Sequence, residues 1–73
     1  MLMSKESRSP LTPRERDVVR GVLAAKTNRE IAHELGLSVQ AVKNVLSTVY
    51  VKCHVRNRLE LAVRAMHDDM LSD

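Results

Sequence analysis

The segment Thr27 to Lys52, TNREIAHELGLSVQAVKNVLSTVYVK, leaves this chain few ways to fold. Thr27 with Glu30 is a capping box, Ile31, Ala32 and Leu35 recur at helical spacing, and Gly36 ends the run. Only Gly36 and Leu37 separate Leu35 from a second cap, Ser38, which opens a longer helix with the stripe Val42, Val45 or Leu46, Val49 and Cys53. So short a link forces two helices into a sharp crossing rather than a parallel hairpin. Between Leu35 and Leu59 there is no acidic residue, whereas Lys43, Lys52, Arg56 and Arg58 all fall there. Acids cluster on either side, in Glu6 to Glu34 and Glu60 to Asp73. A second helix without negative charge is suited to lie against phosphate, so this spacing points to a helix-turn-helix that binds DNA.

The flanks supply two more helices. Thr12 is an N-cap, Pro13 takes the first helical position and Glu15 completes a capping box. Val18, Val19, Val22 and Leu23 make the apolar stripe of a first helix over about Pro13 to Ala25. Asn57 with Glu60 reads as a third capping box, opening a fourth helix that runs to about Met70. No alternating strand pattern competes, so the fold class is all-α, a compact four-helix domain over residues 11–73. Residues 1–10, MLMSKESRSP, read as a flexible arm or linker stub. At 73 residues the chain has room for one small domain and no deep substrate cavity.

On the third helix Val42, Val49 and Cys53 must face inward. The opposite side then carries Gln40, Lys43, Asn44 and Ser47 at positions i, i+3, i+4 and i+7. All four donate hydrogen bonds and none is acidic, which makes them candidates to reach base edges. For an isolated helix the same four residues would read as an ordinary solvated face. The short turn and the acid-free stretch favour the groove. The backbone candidates are Thr27, Asn28 and Ser38 at helix N-termini, and Lys52, Arg56 and Arg58 as phosphate-touching cations. Thr27 is expected mainly to cap, Ser38 to cap and to contact phosphate.

The fourth helix has two apolar faces. Leu61, Ala62 and Ala65 fit a core-facing stripe, while Leu59, Val63, Met66 and Met70 lie about 120° around it. A monomer this small buries one stripe, so the second is a candidate homodimer interface. Its rival is that Pro10–Leu11 or the linker folds over it.

Several classes are disfavoured. With Tyr50 the sole aromatic, a reader that stacks single-stranded bases on aromatic platforms is a poor fit. His33, His54 and His67 do not recur with Cys53 at metal-ligand spacing, and two glycines build neither a P-loop nor a dinucleotide loop, so no metal, cofactor or enzymatic activity is expected. Cys53, the only cysteine, fits packing and a reducing cytosol, and the apolar runs are far below the roughly 20 residues needed to span a bilayer.

The stretches LTPRERDVV, TNREIAHELGLS, VKNVLSTVYVK and VRNRLEL together resemble the LuxR/NarL-type, GerE-like helix-turn-helix domain of quorum-sensing activators and bacterial response regulators. The likeness covers about Leu11 to Met66. It implies that the third helix enters the major groove of double-stranded DNA, that the fourth pairs two copies, and that the domain acts in transcription, with RNA polymerase as a further candidate partner. It also implies that Lys43, Asn44 and Ser47 approach bases, that Thr27, Asn28, Ser38 and Lys52 hold backbone, and that Glu15 orients the recognition element from within. Ala41 and Val45 stand where the family usually has threonine and histidine, Cys53 where leucine is usual, and Lys26 is read as the place of a common glycine. Two rival readings are a promoter-reading region of a sigma factor and a helical protein-interaction module with weakened DNA binding.

Overall fold

The computed structural model describes residues 10–68 and residue 71. Four helices follow in order, α1 Pro13–Leu23, α2 Asn28–Leu35, α3 Val39–Cys53 and α4 Arg58–His67, with no strand among the described residues. Side-chain caps start all four. The Thr12 hydroxyl accepts from the Glu15 amide at 3.2 Å while the Glu15 carboxylate accepts from Thr12 N–H at 2.8 Å, and Thr27 and Glu30 repeat the pattern at 3.1 and 2.8 Å. Ser38 Oγ accepts from Ala41 N–H at 3.0 Å. The expected third capping box is altered. Asn57 Oδ1 accepts from the Glu60 amide at 2.9 Å, but the Glu60 carboxylate takes the N–H of Arg56, at 2.7 Å, instead of that of Asn57. The backbone explains the difference, since Asn57 is fully extended at φ −158° whereas Thr12 and Thr27 sit at φ −72° and −76°.

Three helices end in the same way, with a left-handed residue followed by a 6→1 backbone bond. After α2 that residue is Gly36, at φ 68°, and Leu37 N–H donates to the Ala32 carbonyl at 2.8 Å. After α3 it is His54, at φ 57°, and Val55 N–H donates to Tyr50. After α1 it is Ala25, at φ 61°, and Lys26 N–H donates to Gly21. The position that calls for glycine between α1 and α2 is therefore Ala25, one residue before the Lys26 assigned from sequence. The same conformation ends α1 at Leu23 instead of Ala25. The helix α4 also stops early, at His67, because Asp68 is extended. Met70 lies outside the described residues.

The apolar stripes converge on one core. Val18, Val19 and Val22 of α1, Ile31 and Ala32 of α2, Val42, Leu46, Val49 and Cys53 of α3, and Leu61 and Ala65 of α4 are all buried. Leu46 fills the position that the sequence left open, and Val45 is half-buried at its edge. Each fully buried aliphatic side chain contributes about 1.5–3 kcal/mol relative to exposure. Leu11 and Val55 plug the core from the connecting segments. Leu11 therefore does not cover the outer face of α4, where Leu59, Val63 and Met66 stay exposed. Gly21 marks a close approach of α1 to α2, since a Cβ there would sit 2.6 Å from Cγ1 of Ile31.

Candidate nucleic-acid interface

With Val42, Leu46, Val49 and Cys53 buried, the 15-residue α3 turns its other side outward. Gln40, Lys43, Asn44 and Ser47 are all exposed on that side, so the structure brings the four candidate base readers together. Among the described residues Lys43 makes no ion pair. Gln40 Nε2 donates to Asn44 Oδ1 at 3.0 Å, linking two of the four. The Thr48 hydroxyl donates back to the Asn44 carbonyl at 3.3 Å, which occupies its proton within the helix. Ala41 and Val45 flank this face half-buried. Ser38, exposed, caps α3, whose first-turn amides have no intrahelical acceptor.

The cations expected at phosphate divide into two groups. Arg56 is exposed. Lys52, likewise exposed, and half-buried Arg58 are held by acceptors of the protein itself. Lys52 Nζ donates to both carboxylate oxygens of Glu15, at 2.9 and 3.1 Å, across 37 positions of sequence. This pair ties the last turn of α3 to the first turn of α1. Glu15 is buried, 8 % exposed. Burial by itself would raise its carboxyl pKa, but the Lys52 hydrogen bond, the Thr12 amide and the lysine's charge outweigh it, and the pKa lies below the ordinary 4.5. Glu15 thus serves twice, as capping-box residue and as the acceptor that ties the end of α3 to the start of α1.

Arg58 forms a second clamp. Its Nη1 donates to Asn28 Oδ1 at 2.7 Å and its Nη2 to the Lys26 carbonyl, joining the start of α4 to the start of α2. Half-buried Asn28 accepts through its oxygen, so its NH2 group is turned away from Arg58. Thr27 stays exposed, its hydroxyl oxygen accepting from Glu30 N–H in the cap while its own proton remains able to donate. Two further braces were not anticipated from sequence. Arg14 Nη1 donates to the Leu35 carbonyl at 3.2 Å, and Arg64 Nη1 to the Cys53 carbonyl at 3.0 Å, so arginines of α1 and α4 hold the ends of α2 and α3. The only signal for them is that helix C-termini attract cations, which does not say which distant arginine answers.

Cys53 is buried, and that burial pushes its thiol pKa up, away from the reactive thiolate. Among the described residues no three His, Cys, Asp or Glu side chains converge as metal ligands would, and no helix is long and apolar enough to cross a membrane. On α4, Leu59, Val63 and Met66 are 74 %, 48 % and 70 % exposed and share one face.

Comparison with known proteins adds a family. The profile described as "Bacterial regulatory proteins, luxR family" (GerE) matches residues 9–65. The chain is 39 % identical to the transcriptional regulatory protein DesR of Bacillus subtilis over 57 residues, 78 % of this chain and 29 % of DesR. It is 35 % identical to the transcriptional regulatory protein FixJ of Bradyrhizobium diazoefficiens over 63 residues, 86 % of this chain and 31 % of FixJ. Over 53 residues it is 42 % identical to the two-component response regulator PprB of Pseudomonas aeruginosa, 73 % of this chain and 19 % of PprB. The chain thus spans under a third of the length of each of these relatives.

Proposed function

From the premise that the chain belongs to the luxR family of bacterial regulatory proteins, we propose that it is a DNA-binding domain of a transcription regulator. In this reading α3 lies in the major groove of double-stranded DNA and reads sequence through Lys43, Asn44, Ser47 and Gln40. The observation that carries it is the face itself. Four exposed donors and no acid project from one side of a helix whose other side is locked into the core. Lysine suits guanine acceptors, and an Asn or Gln amide suits adenine.

Backbone contacts come from the N-termini of α2 and α3, through Thr27, Asn28 and Ser38, and from Arg56. Lys52 and Arg58 contribute chiefly by bracing those elements, because their cationic groups already hold Glu15, Asn28 and Lys26. Two copies pair through Leu59, Val63 and Met66 of α4, which sets two recognition helices about one DNA turn, roughly 34 Å, apart. PprB is named a two-component response regulator, and in this reading the chain belongs to a regulator of that kind, acting in the cytoplasm with RNA polymerase as a further partner.

The test is DNA selection followed by titration. Sites enriched from random duplexes should be two-fold symmetric, and affinity should fall steeply between low and moderate salt as counterions are released. Lys43→Ala should cost more on the selected site than on random DNA, and Met66→Glu should leave a folded monomer that binds weakly. Salt-independent binding, or none even at low salt, would sink the proposal in favour of a protein-interaction module.

A further inference from the structure

We infer that Gln40 and Asn44 act as one reading unit, in which Gln40 positions the Asn44 side-chain amide to select an adenine in the major groove. The inference rests on the groove-binding reading above and goes beyond it by assigning a base and by separating a reader from the residue that aims it.

The argument starts from the bond between them. Gln40 Nε2 donates to Asn44 Oδ1 at 3.0 Å, one helical turn apart on the exposed face of α3. A free asparagine amide turns about its last torsion and presents oxygen and nitrogen interchangeably. Here the oxygen is named by its donor. One lone pair of Oδ1 is used, a second remains, and both Nδ2 hydrogens point away from Gln40. What Asn44 offers outward is therefore an acceptor beside a donor, in fixed order.

Adenine carries the complement in the major groove, an N7 acceptor beside an N6 donor. Guanine shows two acceptors there and leaves the amide oxygen without a donor. Thymine shows one acceptor and a methyl group, and cytosine one donor. Of the neighbouring side chains, exposed Ser47 can both donate and accept, but its single rotating hydroxyl cannot hold an acceptor beside a donor in fixed order. The Thr48 proton is held by the Asn44 carbonyl, Ala41 and Val45 bring no polar atom, and Lys43 donates only. In water an exposed amide pair at i,i+4 stabilises a helix only about twofold as an equilibrium. In a groove from which water is displaced the same bond weighs more, because a misdirected amide would leave polar groups of base and protein unpaired.

The test uses sites selected by the wild-type domain, re-synthesised with 7-deazaadenine, which lacks the N7 acceptor, at each adenine in turn. One adenine per half-site should be sensitive, with affinity falling roughly tenfold. Asn44→Ala should lose a similar factor on the natural site and show no further loss on the modified one. Gln40→Met, which keeps the length but cannot donate, should reduce the preference for adenine over guanine at that position about threefold or more. Combining Gln40→Met with Asn44→Ala should cost no more of the adenine preference than Asn44→Ala alone, which a merely structural or independent role for Gln40 would not predict. Undiminished sensitivity to 7-deazaadenine in Asn44→Ala overturns the inference and leaves DNA reading by α3 intact. Unaltered base preference in Gln40→Met also overturns it, since Asn44 would then read without an aiming residue. If the wild-type domain selects no sequence at all, both the inference and the reading beneath it fall.

Discussion

Replacing Glu15 by glutamine tests the argument that an ion pair fastens the end of α3 to the start of α1. Glutamine keeps the oxygen that accepts from Thr12 N–H, so the cap survives and the negative charge opposite Lys52 is removed. Charge-assisted hydrogen bonds contribute about 1.5–3 kcal/mol. The lysine side chain is 34 % exposed and can rehydrate, which places the net loss at about 1–2 kcal/mol. For a domain of this size that corresponds to a fall in Tm of about 5–15 °C near neutral pH, read by circular dichroism. The acid dependence is the sharper readout. The folded-state pKa of Glu15 lies below its ordinary 4.5, so its stabilisation is complete above that value and lost as pH falls through the lower folded one. The gap between wild type and Glu15→Gln should therefore be full near neutral pH and smaller at an acid pH below 4.5, narrowing toward the lower folded-state value. Lys52→Met should be at least as damaging at neutral pH, because it strands a carboxylate that is 8 % exposed. A gap of equal size at both pH values would refute the ion-pair argument and leave shape or capping as the cause.

Ala25→Gly should raise stability by about 0.5–1 kcal/mol, because alanine is strained at φ 61° and glycine is not; an unchanged or lower midpoint in urea would count against this. Gly21→Ala should do the reverse. The gain of about 1 kcal/mol in helix propensity is outweighed by a Cβ 2.6 Å from Cγ1 of buried Ile31, giving a net loss of about 1 kcal/mol that denaturant unfolding would detect. Asn28→Asp keeps an acceptor for Arg58, so the fold should hold or gain slightly. The outward amide donors vanish and a negative charge replaces them, so DNA affinity measured by fluorescence anisotropy should drop about tenfold or more at low salt, and equal affinity would remove Asn28 from the phosphate contacts.

Local chemistry made most of the architecture legible. Thr12, Thr27, Ser38 and Asn57 each cap a helix with atoms three residues away, and the spacing of Val18, Ile31, Val42 and Leu61 tells each helix which side to bury. Gly36 was readable because only its residue type takes the left-handed turn without cost. Ala25 and His54 adopt the same turn against their preference, so α1 ends at Leu23, two residues before the end its apolar spacing suggests, and the left-handed position between α1 and α2 is Ala25 instead of Lys26. Exposure of Gln40, Lys43, Asn44 and Ser47 followed from periodicity alone.

The cations were not legible in that way. A sequence shows that Lys43, Lys52, Arg56 and Arg58 are positive, and nothing in their spacing says which will meet an internal acceptor. Glu15 lies 37 positions from Lys52 and Asn28 lies 30 from Arg58, so only packing of α1 on α3 and the approach of α4 to α2 bring the partners within bonding distance. Periodicity and capping act over one turn of helix and are written into neighbouring residues. The pairing of charges depends on where whole helices come to rest, and that is decided by the shape of the shared core.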